Sequence, residues 1–130
     1  FVDDAVFDEM VEAGAFLESA VVHGNKYGTP RADVEAAIAD GKWVLLDIDV
    51  QGAKAVREAG VDALFLMIRP PSMEVLAERL AGRKTESAEQ LAIRLRNAEH
   101  ELSQSHFYDH VIVNDDVERA VEDVRRVLGL

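Results

Sequence analysis

Asp47 and Asp49 stand two residues apart in WVLLDID, residues 43–49, a nearly continuous apolar run that breaks into carboxylates. On an extended backbone this spacing puts both side chains on one face, and the carboxyl end of a buried strand opens onto the crevice where α/β sheets bind ligands. Carboxylates there can hold a metal-bound phosphate or accept hydrogen bonds from a base. No His or Cys stands close enough to indicate a transition-metal site. A solvated strand end is the plainer alternative. A second cluster is cationic. Arg79, Arg83, Lys84, Arg94 and Arg96 are five of only 14 Lys and Arg residues in a strongly acidic chain. Arg79 and Arg83 are four apart near a helix end and Arg94 lies one turn into the next helix, so a helix-loop-helix could carry several guanidiniums over a polyphosphate. Surface pairing with Glu78, Glu86 and Glu89 competes with that reading.

Glu18 and Tyr27-Gly28-Thr29 flank a turn and a helix amino terminus, where amides and a hydroxyl can receive a phosphate. Thr29 as a simple helix cap is the alternative. His23, His100, His106 and His110 lack metal-ligand spacing and have no Ser or Cys partner in sequence, so no active His is expected.

The elements that must position these residues alternate along the chain. Asp3 and Asp4 precede apolar positions Phe7, Met10 and Val11, and Gly14 supplies a helix stop. Residues 16–23 read as extended, with a turn at Gly24 and Asn25. Thr29-Pro30 opens a helix with Thr as cap and Pro at the first helical position. Val34, Ala37 and Ile38 form its inner face and Gly41 ends it. Residues 43–49 then read as a strand covered on both faces, the signature of a parallel sheet. A helix over about 51–59 follows, stopped by Gly60, then a strand over 63–68, and Ser72 caps a helix over 73–81. Ser87 with Gln90 opens a longer helix striped by Leu91, Leu95, Ala98 and Leu102. Residues 110–113 form the last strand, and a final helix turns Val117, Val121, Val124 and Leu128 inward. Strand and helix alternation is the pattern of an α/β fold.

Composition bounds the function. At 130 residues, with 48% hydrophobic and 30% charged, the chain has the make-up of one globular domain. A net charge of -11 repels a nucleic-acid backbone, so nucleic acid is not an expected partner. Zero cysteines exclude disulfides, Cys-ligated zinc and thiol catalysis, and cytoplasmic is the default compartment. No apolar run approaches the roughly 20 residues of a membrane helix, so no membrane partner is expected. The chain opens on Phe1 and not Met, and its start is read as trimmed, processed or incompletely described.

FLES, HGNKYGTPR, LLDIDVQGA, PPSMEVLAERLAGRKTES, RLRNAEHEL and VIVNDD occur in an order and spacing that resembles the guanylate kinase family over nearly the whole chain. The resemblance implies an α/β P-loop NTPase-type parallel sheet flanked by helices. It implies a small GMP-binding subdomain at 1–41, core at 42–78, a helical lid at 79–100 and core again at 101–130. By the same resemblance Glu18 and Asp49 bind the guanine base, and Tyr27, Gly28, Thr29 and Gly52 complete the GMP site, with Tyr27 and Thr29 on the phosphate and base. Asp47 supports a Mg2+ site indirectly. Arg79 and Arg83 match lid arginines that reach ATP, Arg83 and Arg94 act on the transferred phosphoryl group, and Asn114 lies beside the adenine. Positioning and charge neutralisation are what phosphoryl transfer needs. Two residues depart from the family pattern: Ser19 where many members have Trp, and Lys84 where the lid usually has Gly.

The implied activity is phosphoryl transfer from ATP to GMP, with ATP and Mg2+ as cofactors. A second reading is a non-catalytic protein-interaction or GMP-binding module, and a third is another nucleoside monophosphate kinase. Paired acceptors at Glu18 and Asp49 suit the N1 and N2 donors of guanine and so argue against the third. No G-x-x-x-x-G-K-[ST] motif occurs in these residues. The strand that leads into such a loop would adjoin 43–49, and the expectation is that further residues, a partner chain or self-association between copies supply it.

Overall fold

The computed structural model describes residues 1–22, 24–82 and 87–130. These form two compact units, Phe1–Ala63 and Leu64–Leu130.

In the first unit, helix α1 (Asp4–Glu12) starts where the Asp3 side chain accepts from Val6 N–H. Strands β1 (Phe16–Val22) and β2 (Asn25–Pro30) pair antiparallel with a register shift between Phe16 and Glu18, and Glu18 lies opposite Thr29. Phe7 of α1 stacks on Phe16 with ring centroids 4.7 Å apart, which fixes the helix to the hairpin. Gly28 is a strand glycine for a reason of space: a Cβ there would lie 2.8 Å from the Phe16 ring. Helix α2 (Arg31–Ala39) follows, then helix α3 (Val50–Glu58), after which Gly60 turns the chain at φ 72. Leu17, Val34, Val50, Ala53 and Val56 form the buried core of this unit.

In the second unit, β3 (Leu66–Arg69) and β4 (His110–Val113) pair in parallel, Leu66 opposite His110 through Arg69 opposite Val113. The Asp109 carboxylate accepts from Phe65 N–H at 2.8 Å, while the Phe65 carbonyl accepts from Asp109 and His110, locking the strand starts together. Helices α4 (Met73–Ala81), α5 (Ala88–Ser103) and α6 (Val117–Leu128) complete it, with a 3₁₀ turn at Ser105–Phe107. Ser72 caps α4, and Ser87 and Gln90 form a reciprocal capping box on α5. Phe65, Met67, Ile112 and Ala120 are the buried core. Among the described residues no helix is long and apolar enough to cross a membrane.

Four expectations are corrected. Residues 43–49 are not a strand: the stretch between α2 and α3 pairs with no strand among the described residues, and Trp43 and Leu45 are 73% and 93% exposed. Apolar sequence alone does not make a strand when no backbone ladder is present to satisfy its amides and carbonyls. Thr29 does not cap α2. The capping position is Pro30, which makes no side-chain bond, because Thr29 is still in β2 and its hydroxyl is used across the hairpin. The inner face of α6 is centred on Ala120, with Val117 and Val121 exposed, and Ile38 of α2 is also exposed. The spacing identifies the helix correctly, and Val124 and Leu128, one and two turns beyond Ala120, are half-buried on its side, but Val117 and Val121 lie on the outer side.

Candidate functional site

The first unit brings four of the candidate residues together. Because Glu18 and Thr29 oppose each other in the ladder, their side chains emerge on the same face of the hairpin, and Thr29 Oγ1 donates to Glu18 Oε1. The other oxygen, Glu18 Oε2, reaches the first turn of α3, where it lies 3.3 Å from the position a Cβ on Gly52 would take. Asp49 is the N-cap of α3, its Oδ1 accepting from Gly52 N–H at 2.8 Å. Two carboxylates therefore flank Gly52, one from the hairpin and one from the helix start, and the partial positive charge of the helix amino terminus favours both.

Each carboxylate has one oxygen anchored by an internal donor, Thr29 for Glu18 and Gly52 N–H for Asp49. An ionised carboxylate has about four lone-pair sites, so anchoring leaves capacity to accept N–H groups from a ligand. Convergent acceptors of this kind suit a heterocycle that presents adjacent N–H donors. The Asp49 cap was not anticipated: the sequence placed Asp47 and Asp49 together on a strand face, and that expectation gave way with the strand. Asp47 is exposed in the extended stretch before the helix.

Tyr27 lies on β2, opposite Ala20, with its ring largely exposed. Ser19 lines a concavity of about 440 Å³ with Phe7, Val11, Lys26, Asp49 and Gln51. Sequence reasoning missed Lys26, whose ammonium bonds both oxygens of Asp8 at 2.6 and 2.7 Å and ties the hairpin to α1. The Asp8 hydrogen bond, with the Asp8 and Asp4 charges, holds the Lys26 ammonium pKa above its ordinary value despite some opposing desolvation.

The second unit brings Arg79 and Asn114 together. Arg79, in the last turn of α4, donates from Nη1 to the Asn114 carbonyl at 2.8 Å and from Nη2 to the Asp115 carbonyl at 3.2 Å. Arg94 lies on the exposed side of α5. Arg83 and the departure at Lys84 lie outside the described residues. Among the described residues no group of three or more His, Cys, Asp or Glu could hold a metal ion.

The sequence model of the guanylate kinase family matches residues 1–129. The chain is 48% identical over 128 residues to a guanylate kinase of Symbiobacterium thermophilum, covering 98% of this chain and 61% of that protein. It is 46% identical over 133 residues to guanylate kinase 1 of Oryza sativa, covering 100% of this chain and 35% of that protein. The crystal structure of guanylate kinase from Anaplasma phagocytophilum superposes with a TM-score of 0.77 at 35% identity, over 99% of this chain and 62% of that one. The chain thus spans about six-tenths or less of the length of these relatives. It shares with the Anaplasma structure an α/β fold of the P-loop NTPase type. With the family model matched almost end to end, this chain belongs to the guanylate kinase family.

Proposed function

We propose that the chain supplies the GMP-accepting and lid portions of a guanylate kinase, which transfers the γ-phosphoryl group of ATP to GMP and releases ADP and GDP in the cytoplasm. The observation that carries this reading is the pair of anchored carboxylates, Glu18 and Asp49, around Gly52. Their remaining lone pairs match the N1–H and N2–H donors of guanine, which adenine does not present on that edge. Thr29 holds Glu18, Gly52 leaves room for its carboxylate, and Gly28 admits the Phe16 ring that packs the hairpin. Tyr27 is assigned to the GMP phosphate.

In the transfer a GMP phosphate oxygen forms a bond to Pγ as the bond from Pγ to the departing ADP oxygen breaks. Arg83 and Arg94 are assigned to the charge that develops on the phosphoryl oxygens, and Arg79 and Asn114 to ATP. Mg2+ is bound in such sites through one or two carboxylates, waters and the substrate phosphates, and not by an all-protein cage. The exposed carboxylate of Asp47, in no group of three or more such ligands among the described residues, fits that donor set. Its role would be to orient metal-bound water. We further infer the functional partition 1–41 for GMP, 79–100 for the lid, and 42–78 with 101–130 for the core.

The test is a coupled assay of the full-length protein with GMP and AMP as alternative acceptors. Expected is GDP formation with strong preference for GMP, and loss of that preference in Glu18→Gln. Equal use of GMP and AMP would end the guanine assignment, and GMP binding without turnover would leave a binding module.

A further inference from the structure

We infer that Arg79 is a positioning residue that sets the turn at 114 and 115 for adenine recognition, acting through the backbone of that turn and not as a cation on the ATP phosphates. The inference rests on the kinase reading above and assigns a different task to a residue that the resemblance places on ATP. Its guanidinium forks across two successive carbonyls, those of Asn114 and Asp115, at 2.8 and 3.2 Å. A planar guanidinium with parallel N–H groups is suited to such a double contact, and the two N–H groups held by the carbonyls are withdrawn from a phosphate.

The rest of the turn is fixed independently. Asn114 N–H donates to the Arg69 carbonyl at the end of β3 at 2.8 Å. Asp115 accepts from Asp116 N–H at 2.7 Å and from Arg119 Nη1 at 2.6 Å, while Asp116 caps α6 by accepting from Arg119 N–H at 3.0 Å. β3, α4 and α6 therefore all hold this one connection, and Arg79 is the contribution of α4. With the N–H and carbonyl of Asn114 so occupied, its side-chain amide is held where it can read a base. It pairs one acceptor with two donors, the pattern that matches the amino and ring-nitrogen edge of adenine.

The two roles differ in how a lost arginine should scale with ligand. Calorimetric titration of the full-length protein with adenosine, ADP and ATP would compare wild type, Arg79→Lys, Arg79→Ala and Asn114→Ala. A positioning role predicts that both Arg79 variants weaken all three ligands by the same factor, about fivefold to tenfold for two hydrogen bonds on an exposed turn. Lysine should fail to rescue because a single ammonium cannot span both carbonyls. In the Asn114→Ala background, Arg79→Ala should cost adenosine nothing further, and the KM for GMP should not move in any variant. A loss that grows with phosphate number and spares adenosine would overturn the inference, as would full rescue by lysine. If wild type makes no GDP from GMP, the kinase reading itself fails. A wild type that turns over GMP while Arg79→Ala leaves adenosine untouched sinks the Arg79 role alone.

Discussion

Glu18 and Thr29 face each other across the β1 and β2 ladder, and the threonine hydroxyl donates to the glutamate carboxylate. Thr29 thus sits one residue before the cap of α2 without capping it. This separates two effects of one substitution. Thr29→Val should raise the KM for GMP about fivefold to tenfold, the scale of one hydrogen bond that orients a charged acceptor, with kcat within about twofold of wild type. Thr29→Ser should restore it. Were Thr29 a helix cap instead, valine would lower the melting temperature and leave the KM alone, and that pattern would refute the assignment.

Gly52 lies at the third helical position of α3, between the two carboxylates. A methyl group there would stand 3.1 Å from Ile48 Cβ and 3.3 Å from Glu18 Oε2. Gly52→Ala gains up to about 1 kcal/mol of helix propensity, which offsets the contact with Ile48. The glutamate can yield by rotating, but only by leaving its place. The expected outcome is a melting temperature within a few degrees of wild type and a KM for GMP raised by about tenfold, the cost of one displaced charged acceptor. Unchanged KM in the alanine variant would show that the Glu18 position is not needed for GMP.

The residues legible in the sequence were those whose signal is local. Asp3, Ser72 and the Ser87 and Gln90 pair marked helix starts because capping depends only on a few adjacent residues, and each cap is present. Features that depend on a distant partner were misread. Residues 43–49 have the composition of a buried strand but no neighbour in the ladder, and nothing in their sequence reports the neighbour. Thr29 has the identity of a cap, but a competing acceptor, Glu18, is brought to it by a hairpin whose second strand, β2, was not expected, its ends reading as a turn at Asn25 and a helix start at Thr29-Pro30. Glu18, Asp49 and Gly52 were each visible, whereas their convergence required α3 to be set against β1.

Lys26 gives a pH dependence. Its raised pKa comes first from the hydrogen bond with Asp8, then from the Asp8 and Asp4 charges, with desolvation opposing. A lysine whose folded pKa lies above the unfolded value contributes stability that is fully present below the unfolded value, ordinarily 10.5, and lost as pH rises through the folded one. Wild type should therefore lose melting temperature more steeply than Lys26→Met over about pH 9 to 12, since methionine keeps the packing of the stem without the charge. Asp8→Asn should flatten the same slope. Parallel curves for all three proteins would show that the pair contributes nothing to stability.

The last prediction concerns 43–49. Trp43 and Leu45 are 73% and 93% exposed, and Val44 also lies in water, in a stretch that joins two helices without a ladder partner among the described residues. Leaving large apolar side chains wet forfeits about 25 cal/mol per Å², or about 1.5–3 kcal/mol for each one that could be fully covered. That cost is a sizeable part of the 5–15 kcal/mol by which domains are usually stable. We propose that the stretch becomes a strand only when another backbone lies beside it, from further residues, a partner chain or a second copy. In the 130-residue chain by itself, amides 43–49 should exchange hydrogen without protection, Trp43 should fluoresce as a water-exposed indole, and an apolar dye should bind. In the full-length protein the same amides should be protected and the Trp43 emission shifted to the blue. Protection that appears in the short chain only at high concentration would identify a second copy as the partner. Protection of 43–49 in a dilute, monomeric 130-residue chain would refute the proposal, because the stretch would then form its strand unaided.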